Sequence, residues 1–266
     1  MMTDSADSQM ISHDSFLGGQ ILIRQPVDGY RVGTDAVMLG AAISGGQAQP
    51  HASAGRCLDM GAGVGAVSLS VLHRHPDSQI TLIEKDSLCA RLAEENLAQN
   101  GHVRSCRVIK GDVHDMPVIF KASFDQIFSN PPFHHAYDRP ATSRRRNLAH
   151  YGDGASLEGW IASGLWALKP KGRLSMIIRA DRTDEMLAAL RAHGAGEALV
   201  FPLFSTHGSP ASRVIITARK QVRGAMALLP GLVLHHAGGG QTPQARQIMT
   251  GAPIILTHPA TRHLTL

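Results

Sequence analysis

Arg56-Cys57-Leu58-Asp59-Met60-Gly61-Ala62-Gly63-Val64-Gly65 is the stretch that decides the fold. It opens as a short apolar run with the character of a buried strand and ends in a glycine turn spaced G-x-G-x-G, ahead of a helix. Glycine permits a tight turn and lets backbone N–H groups come close to a ligand. No Gly-Lys-Ser/Thr follows, so a P-loop is excluded. The spacing also differs from the G-x-G-x-x-G of dinucleotide folds, whose third glycine serves helix packing. Asp59 closes the strand, where an acid disfavours a pyrophosphate and favours a cationic ligand.

Working outward, apolar and β-branched runs recur at Gln79–Glu84, Arg107–Lys110, Phe124–Ser129, Arg173–Ile178 and Arg213–Thr217. Helical periods separate them. Leu88, Leu92 and Leu97 mark one helix, stopped at Asn100-Gly101. Leu157, Trp160, Ile161, Leu165 and Leu168 mark another, capped by Ser156 and ended by the turn Lys169-Pro170-Lys171-Gly172. Thr183-Asp184-Glu185 opens a third, with Met186, Leu187 and Leu190 facing inward. This alternation predicts an α/β fold with a doubly wound, mostly parallel sheet. Residues 1–30 and 221–266 fit it poorly and read as short N- and C-terminal additions to a domain spanning 31–220.

The 266 residues suffice for one large α/β domain. No stretch has the apolar length needed to cross a bilayer, and Met1 to Ser8 lack the basic flank and apolar core of a secretory signal, so the expected address is cytoplasmic. The three cysteines, Cys57, Cys89 and Cys106, show no CxxC spacing, and the 15 histidines form no HExxH, so no metal is expected. Lys and Arg number 26 against 21 Asp and Glu, a net charge of +5. That surplus suits a nucleic-acid partner and equally suits plain solubility.

Three acids stand at three successive strand ends. Asp59 would face a sulfonium and an ammonium. Glu84, with Lys85 beside it, is placed to accept the hydroxyls of a ribose. Asp112, after Gly111, is placed to accept an adenine amino group, with the Val113 backbone against the ring. Together they point to S-adenosylmethionine (SAM) lying across the carboxyl edge of the sheet and leaving as S-adenosylhomocysteine. After the fourth strand comes Asn130-Pro131-Pro132-Phe133. The prolines fix the backbone and withhold donors, so the Pro131 carbonyl and the Asn130 side-chain oxygen both accept. Two acceptors aimed at one –NH2 group favour the pyramidal nitrogen of the transition state over the planar ground state. Phe133 offers a stacking face for a planar base. Positioning alone then aligns the nitrogen with the methyl group, and no tuned general base is needed.

These residues resemble the class I SAM-dependent methyltransferases with an N/D-P-P-Y/F/W motif, which methylate amino nitrogens of bases or of glutamine. Leu17-Gly18-Gly19, Gln25-Pro26, Gly29 to Val37, Leu39-Gly40-Ala41, Pro210 to Val214 and Leu232 to His235 narrow the resemblance. They are similar to segments of the bacterial tRNA(Val) adenine N6-methyltransferase family. The resemblance implies a seven-stranded, Rossmann-like methyltransferase sheet. It implies that Asp59, Gly61, Gly63 and Gly65 line the methionine part of SAM, and that Thr34 and Asp35 lie near the cofactor and target amine. A turn capping the next helix explains Thr34 and Asp35 as well. Arg139, Arg144, Arg145 and Arg146 follow the NPPF corner and suit phosphates near the base, or simply a solvated basic loop. The expected activity is methylation of an adenine N6 amine in tRNA. A protein glutamine amide, a small planar amine and a SAM-binding regulator are the rival readings, and the oligomeric state is left open.

Overall fold

A computed structural model of the chain describes residues 10–28, 31–43, 54–132 and 156–258. A hairpin, β1 (Ile11–Phe16) and β2 (Ile21–Pro26), leads to α1 (Thr34–Ala42). Then come β3 (Arg56–Met60), α2 (Ala66–Arg74), β4 (Gln79–Glu84), α3 (Ser87–Gln99), β5 (Cys106–Lys110) and β6 (Phe124–Ser129). The second half holds α4 (Leu157–Ala167), β7 (Leu168–Arg179), α5 (Thr183–Ala192), β8 (Ala195–Thr206) and β9 (Ala211–Lys220). It ends in β10 (Ala227–Leu228), β11 (Leu232–His235) and α6 (Pro243–Met249).

The main sheet runs β10-β8-β9-β7-β6-β3-β4-β5, with β11 also paired to β8. Within this sheet, among the described strands, only β9 runs antiparallel to its neighbours. The expected doubly wound, mostly parallel sheet is therefore present, as seven long strands with two short ones added at the β8 edge. Strand residues alternate between two cores. Cys57, Ile80 and Leu82 pack with α1, α2 and α3 on one face. Leu58, Ile127 and Leu174 pack with α4 and α5 on the other. The order of connection reverses between β3 and β6, so a crevice opens beyond their carboxyl ends, where open α/β sheets bind ligands.

Two sequence expectations need correction. The series of long strands includes β8, which the reading passed over. The turn at Lys169–Gly172 does not precede β7 but lies within it. Phe124 pairs with Leu168 and Gln126 with Arg173, so the intervening residues bulge out of the ladder. Lys171, at φ 64°, takes the tight bend.

Both terminal segments are fastened by polar side chains of α2 and of the end of α3. Asn96 on α3 accepts the Arg24 N–H at 2.7 Å and donates to the Arg24 and Val64 carbonyls at 2.9 Å each. Asn100 accepts the Leu22 N–H and donates back to the Leu22 carbonyl. On α2, the buried Arg74 donates to the Ile248 and Ala252 carbonyls and so holds α6. Burial brings its guanidinium down to about 10.

Candidate active site

The glycine turn has the conformation its residues demand. Gly61, Gly63 and Gly65 sit at φ 66°, 56° and 86°, the left-handed region that side chains resist. Gly65 packs on Leu82 and Ala93, whereas a Cβ on Gly63 would meet open space. The N–H groups of Gly61 and Ala62 donate to the Ile83 carbonyl at 2.9 and 3.1 Å. The Gly63 N–H donates to Glu84 Oε2 at 2.7 Å. Glu84 thus shapes the turn itself. Its Oε1 accepts the Asp86 N–H at 2.8 Å, and the Lys85 N–H also donates to this carboxylate. Burial pushes its carboxyl above the usual range.

Asp59 is 1% exposed. Ser68 Oγ donates to its Oδ2 at 2.7 Å, while Oδ1 has no hydrogen-bond partner among the described residues. Burial raises its carboxyl to about 7. A buried carboxylate oxygen left without a donor fits a cationic ligand, and the open space at Gly63 fits a close approach. The residues present therefore suit SAM.

Asp112 accepts the His114 N–H on Oδ1 at 2.9 Å, and Lys85 Nζ lies 3.1 Å from its Oδ2. The His114 N–H, then Lys85, hold its carboxyl below the usual range against some desolvation. Val113 behind it is buried. Thr34 begins α1, but Gly33 occupies the cap position and no side chain caps the helix. Asp35 Oδ2 is 2.9 Å from Arg213 Nε, an ion pair that fixes the start of α1 against the start of β9.

Asn130, Pro131 and Pro132 follow β6 directly. Registers of Phe128 with Asp59, Met60 with Ile83 and Glu84 with Lys110 put the four strand ends on one edge. Phe133, Arg139 and Arg144 to Arg146 lie outside the described residues. The sequence reading missed Ser129, whose buried Oγ donates to the Met60 carbonyl at 2.6 Å and accepts from Trp160 Nε1 at 2.9 Å. It also missed Ser68 and Arg213. Only the position of Ser129 next to Asn130 hinted at its place. A cleft lined by Leu187, Arg191, Glu197 and Met226 lies at the opposite edge of the sheet and contains none of these residues.

A reversed doubly wound sheet with a glycine turn and strand-end acids at its switch point defines a Rossmann-like methyltransferase. Residues 47–192 match the model of the methyltransferase small domain family, and the chain belongs to that family. It is thus an enzyme that uses SAM. It is 34% identical to a tRNA1(Val) (adenine(37)-N6)-methyltransferase of Porphyromonas gingivalis, over 65% of this chain and 68% of that one. A protein of the same name from Aeromonas hydrophila is 28% identical over 85% and 90% of the two chains. Among solved structures, a predicted O-methyltransferase from Agrobacterium tumefaciens superposes with a TM-score of 0.66 at 22% identity, covering 84% of this chain and 99% of that one. That likeness shows the fold. Among the described residues no helix is long and apolar enough to cross a membrane, and no group of His, Cys, Asp or Glu is placed to hold a metal ion.

Proposed function

We propose that this chain transfers the methyl group of SAM to the exocyclic N6 amine of an adenine in tRNA. The observation that carries the reading is the joining of Asn130-Pro131-Pro132 to the glycine turn through Ser129 and the Met60 carbonyl. An amine-binding corner is thereby held beside a turn suited to a cationic methyl donor. The names of the relatives and the net charge of +5 support RNA as the acceptor.

In this reading SAM supplies an electrophilic methyl group on a sulfonium. Asp59 faces the positive charge of the methionine part, Gly61, Gly63 and Gly65 let the backbone approach it, and Glu84 accepts from the ribose. Asp112 and Val113 hold the adenine, with the His114 N–H and Lys85 fixing the Asp112 carboxylate. Thr34 and Asp35 border the same crevice, Asp35 being steadied by Arg213. The Asn130 side chain and the Pro131 carbonyl would accept hydrogen bonds from the two amine N–H groups, which favours a nitrogen lone pair directed at the methyl group, and the methylated nitrogen then loses one proton to solvent. Phe133 stacks on the target base, and Arg144, Arg145 and Arg146 meet phosphates around it. Residues 1–30 and 221–266 are additions to the catalytic domain, and a tRNA substrate places the work in the cytoplasm.

The test is incubation with methyl-labelled SAM and either total tRNA or total protein, followed by digestion. Label is expected in N6-methyladenosine from tRNA. Asn130→Ala should lower that rate at least about 100-fold with SAM affinity unchanged. Label found only in protein would replace this reading with glutamine methylation.

A further inference from the structure

Three strand ends of the site converge on one side chain that the mechanism above does not use. Trp160 stands in the first turn of α4 and is 7% exposed. Its ring edge lies so close to Gly61 that a Cβ there would sit 2.9 Å from Trp160 Cζ2. Its Nε1–H donates to Ser129 Oγ at 2.9 Å, and the Ser129 hydroxyl donates in turn to the Met60 carbonyl at 2.6 Å. A hydroxyl donates only once, so the chain runs in one direction, from indole to hydroxyl to carbonyl. His114, two residues beyond Asp112, packs edge-on against the indole, with centroids 5.8 Å apart. It fits because Gly159 has no Cβ, which would stand 3.3 Å from His114 Cε1. Trp160 therefore meets the loops after β3, β5 and β6, which are the methionine side, the adenine side and the amine corner of the site.

We propose that Trp160 is a positioning residue for methyl transfer. By abutting Gly61 and orienting Ser129, it sets how far the cofactor turn stands from Asn130, and so the alignment of donor with acceptor. The inference rests on the site reading given above, though not on the identity of the acceptor. The indole N–H is what separates this role from simple space-filling. A phenyl ring would lose the N–H donated to Ser129 together with the ring edge that abuts Gly61. Misplacement of reacting groups by an ångström costs on the order of 100-fold in rate, whereas binding of either partner alone hardly senses it.

Trp160→Phe and Ser129→Ala are assayed with whichever acceptor takes up label from the wild type. A wrong substrate assignment then shows in the wild type, and a wrong role for Trp160 shows only in the variants. Each variant should keep SAM affinity within about two-fold and lower kcat by roughly 10–100-fold with little change in KM. Ser129→Thr, which keeps the hydroxyl, should restore most of the rate. The double variant should be slower than Ser129→Ala by less than the loss that Trp160→Phe causes alone, because the two changes share the indole–hydroxyl link. Independently of turnover, in a Trp166→Phe background the emission of Trp160 should shift when SAM is added. Rates within two-fold of wild type, rate losses that merely track loss of folded protein, or an emission blind to SAM would each overturn the proposal.

Discussion

Asp59 shows how a single buried carboxyl ties stability to ligand binding. Burial raises it from an ordinary 3.8 to about 7. Between those values the folded chain holds a proton that the unfolded chain has lost, so unfolding free energy falls as pH rises from about 4 to about 7. Glu84, also raised by burial, acts in the same direction. A cationic ligand beside Asp59 favours its ionised form, so SAM affinity should climb with pH up to about 7 and then level off. Asp59→Asn should raise the melting temperature of the ligand-free protein at pH 8, because it removes a buried carboxylate that is ionised there. It should also weaken SAM binding by about ten-fold or more and flatten the pH dependence. Calorimetric titration and thermal melts across pH 5 to 8 check all three, and an affinity as steep in pH as the wild type would rule the role out. That Asp59, Glu84, Asp112 and Asn130 stand at strand ends on one edge was legible in the sequence, because each is announced locally, by an acid or an amide at the end of an apolar run. Trp160, Ser129 and Arg213 were not, because their partners lie far along the chain. The Trp160–Ser129 bond spans 31 positions and the Arg213–Asp35 pair 178. No local pattern encodes such meetings.

The same division holds for elements. The central strands and the helices between them were readable from apolar runs and periodicity. β8 was not, because Pro202 interrupts it and proline argues against an interior strand. The fold accommodates that proline at a break. β10 pairs with Leu199 and Val200, β11 begins at Leu203, and Pro202 faces the gap between them. The β1–β2 hairpin was legible only as an addition, since what secures it is a match of spacings. Asn96 and Asn100 are one helical step of four residues apart, about 6.0 Å. Leu22 and Arg24 are two strand residues apart, about 6.6 Å. Each carboxamide therefore replaces a neighbouring strand along the edge of β2. Asn96 is fully buried and also holds the Val64 carbonyl of the glycine turn. Asn96→Ala would leave three backbone groups without partners. It should lower stability by roughly 2–4 kcal/mol, read as a lower urea midpoint at unchanged slope. Asn100→Ala, at a more exposed site, should cost about 1 kcal/mol or less. Equal losses for the two would mean that the buried contacts to Arg24 and Val64 contribute nothing special.

At the scale of the whole molecule, topology and charge complement each other. The sheet reverses between β3 and β6, so the donor turn and the amine corner become neighbours although they lie about seventy positions apart in sequence. Beyond β6 the sheet continues over β7, β9 and β8. The net charge of +5 gives a polyanion a long-range attraction that is blind to sequence. Local phosphate contacts are a separate matter, and the salt dependence of binding tells the two apart. Each phosphate neutralised releases counterions, which steepens the fall of log affinity with log salt by about 0.7 to 0.9. Replacing Arg144, Arg145 and Arg146 together by Ala should therefore make the slope for tRNA shallower by about 2. SAM affinity should not change, and the methylation rate at saturating tRNA should change little. Anisotropy titrations of labelled tRNA between about 50 and 200 mM salt measure the slope directly. If the three substitutions weaken binding equally at every salt concentration, these arginines touch no phosphates, and the basic surplus attracts RNA only through the summed field of the surface.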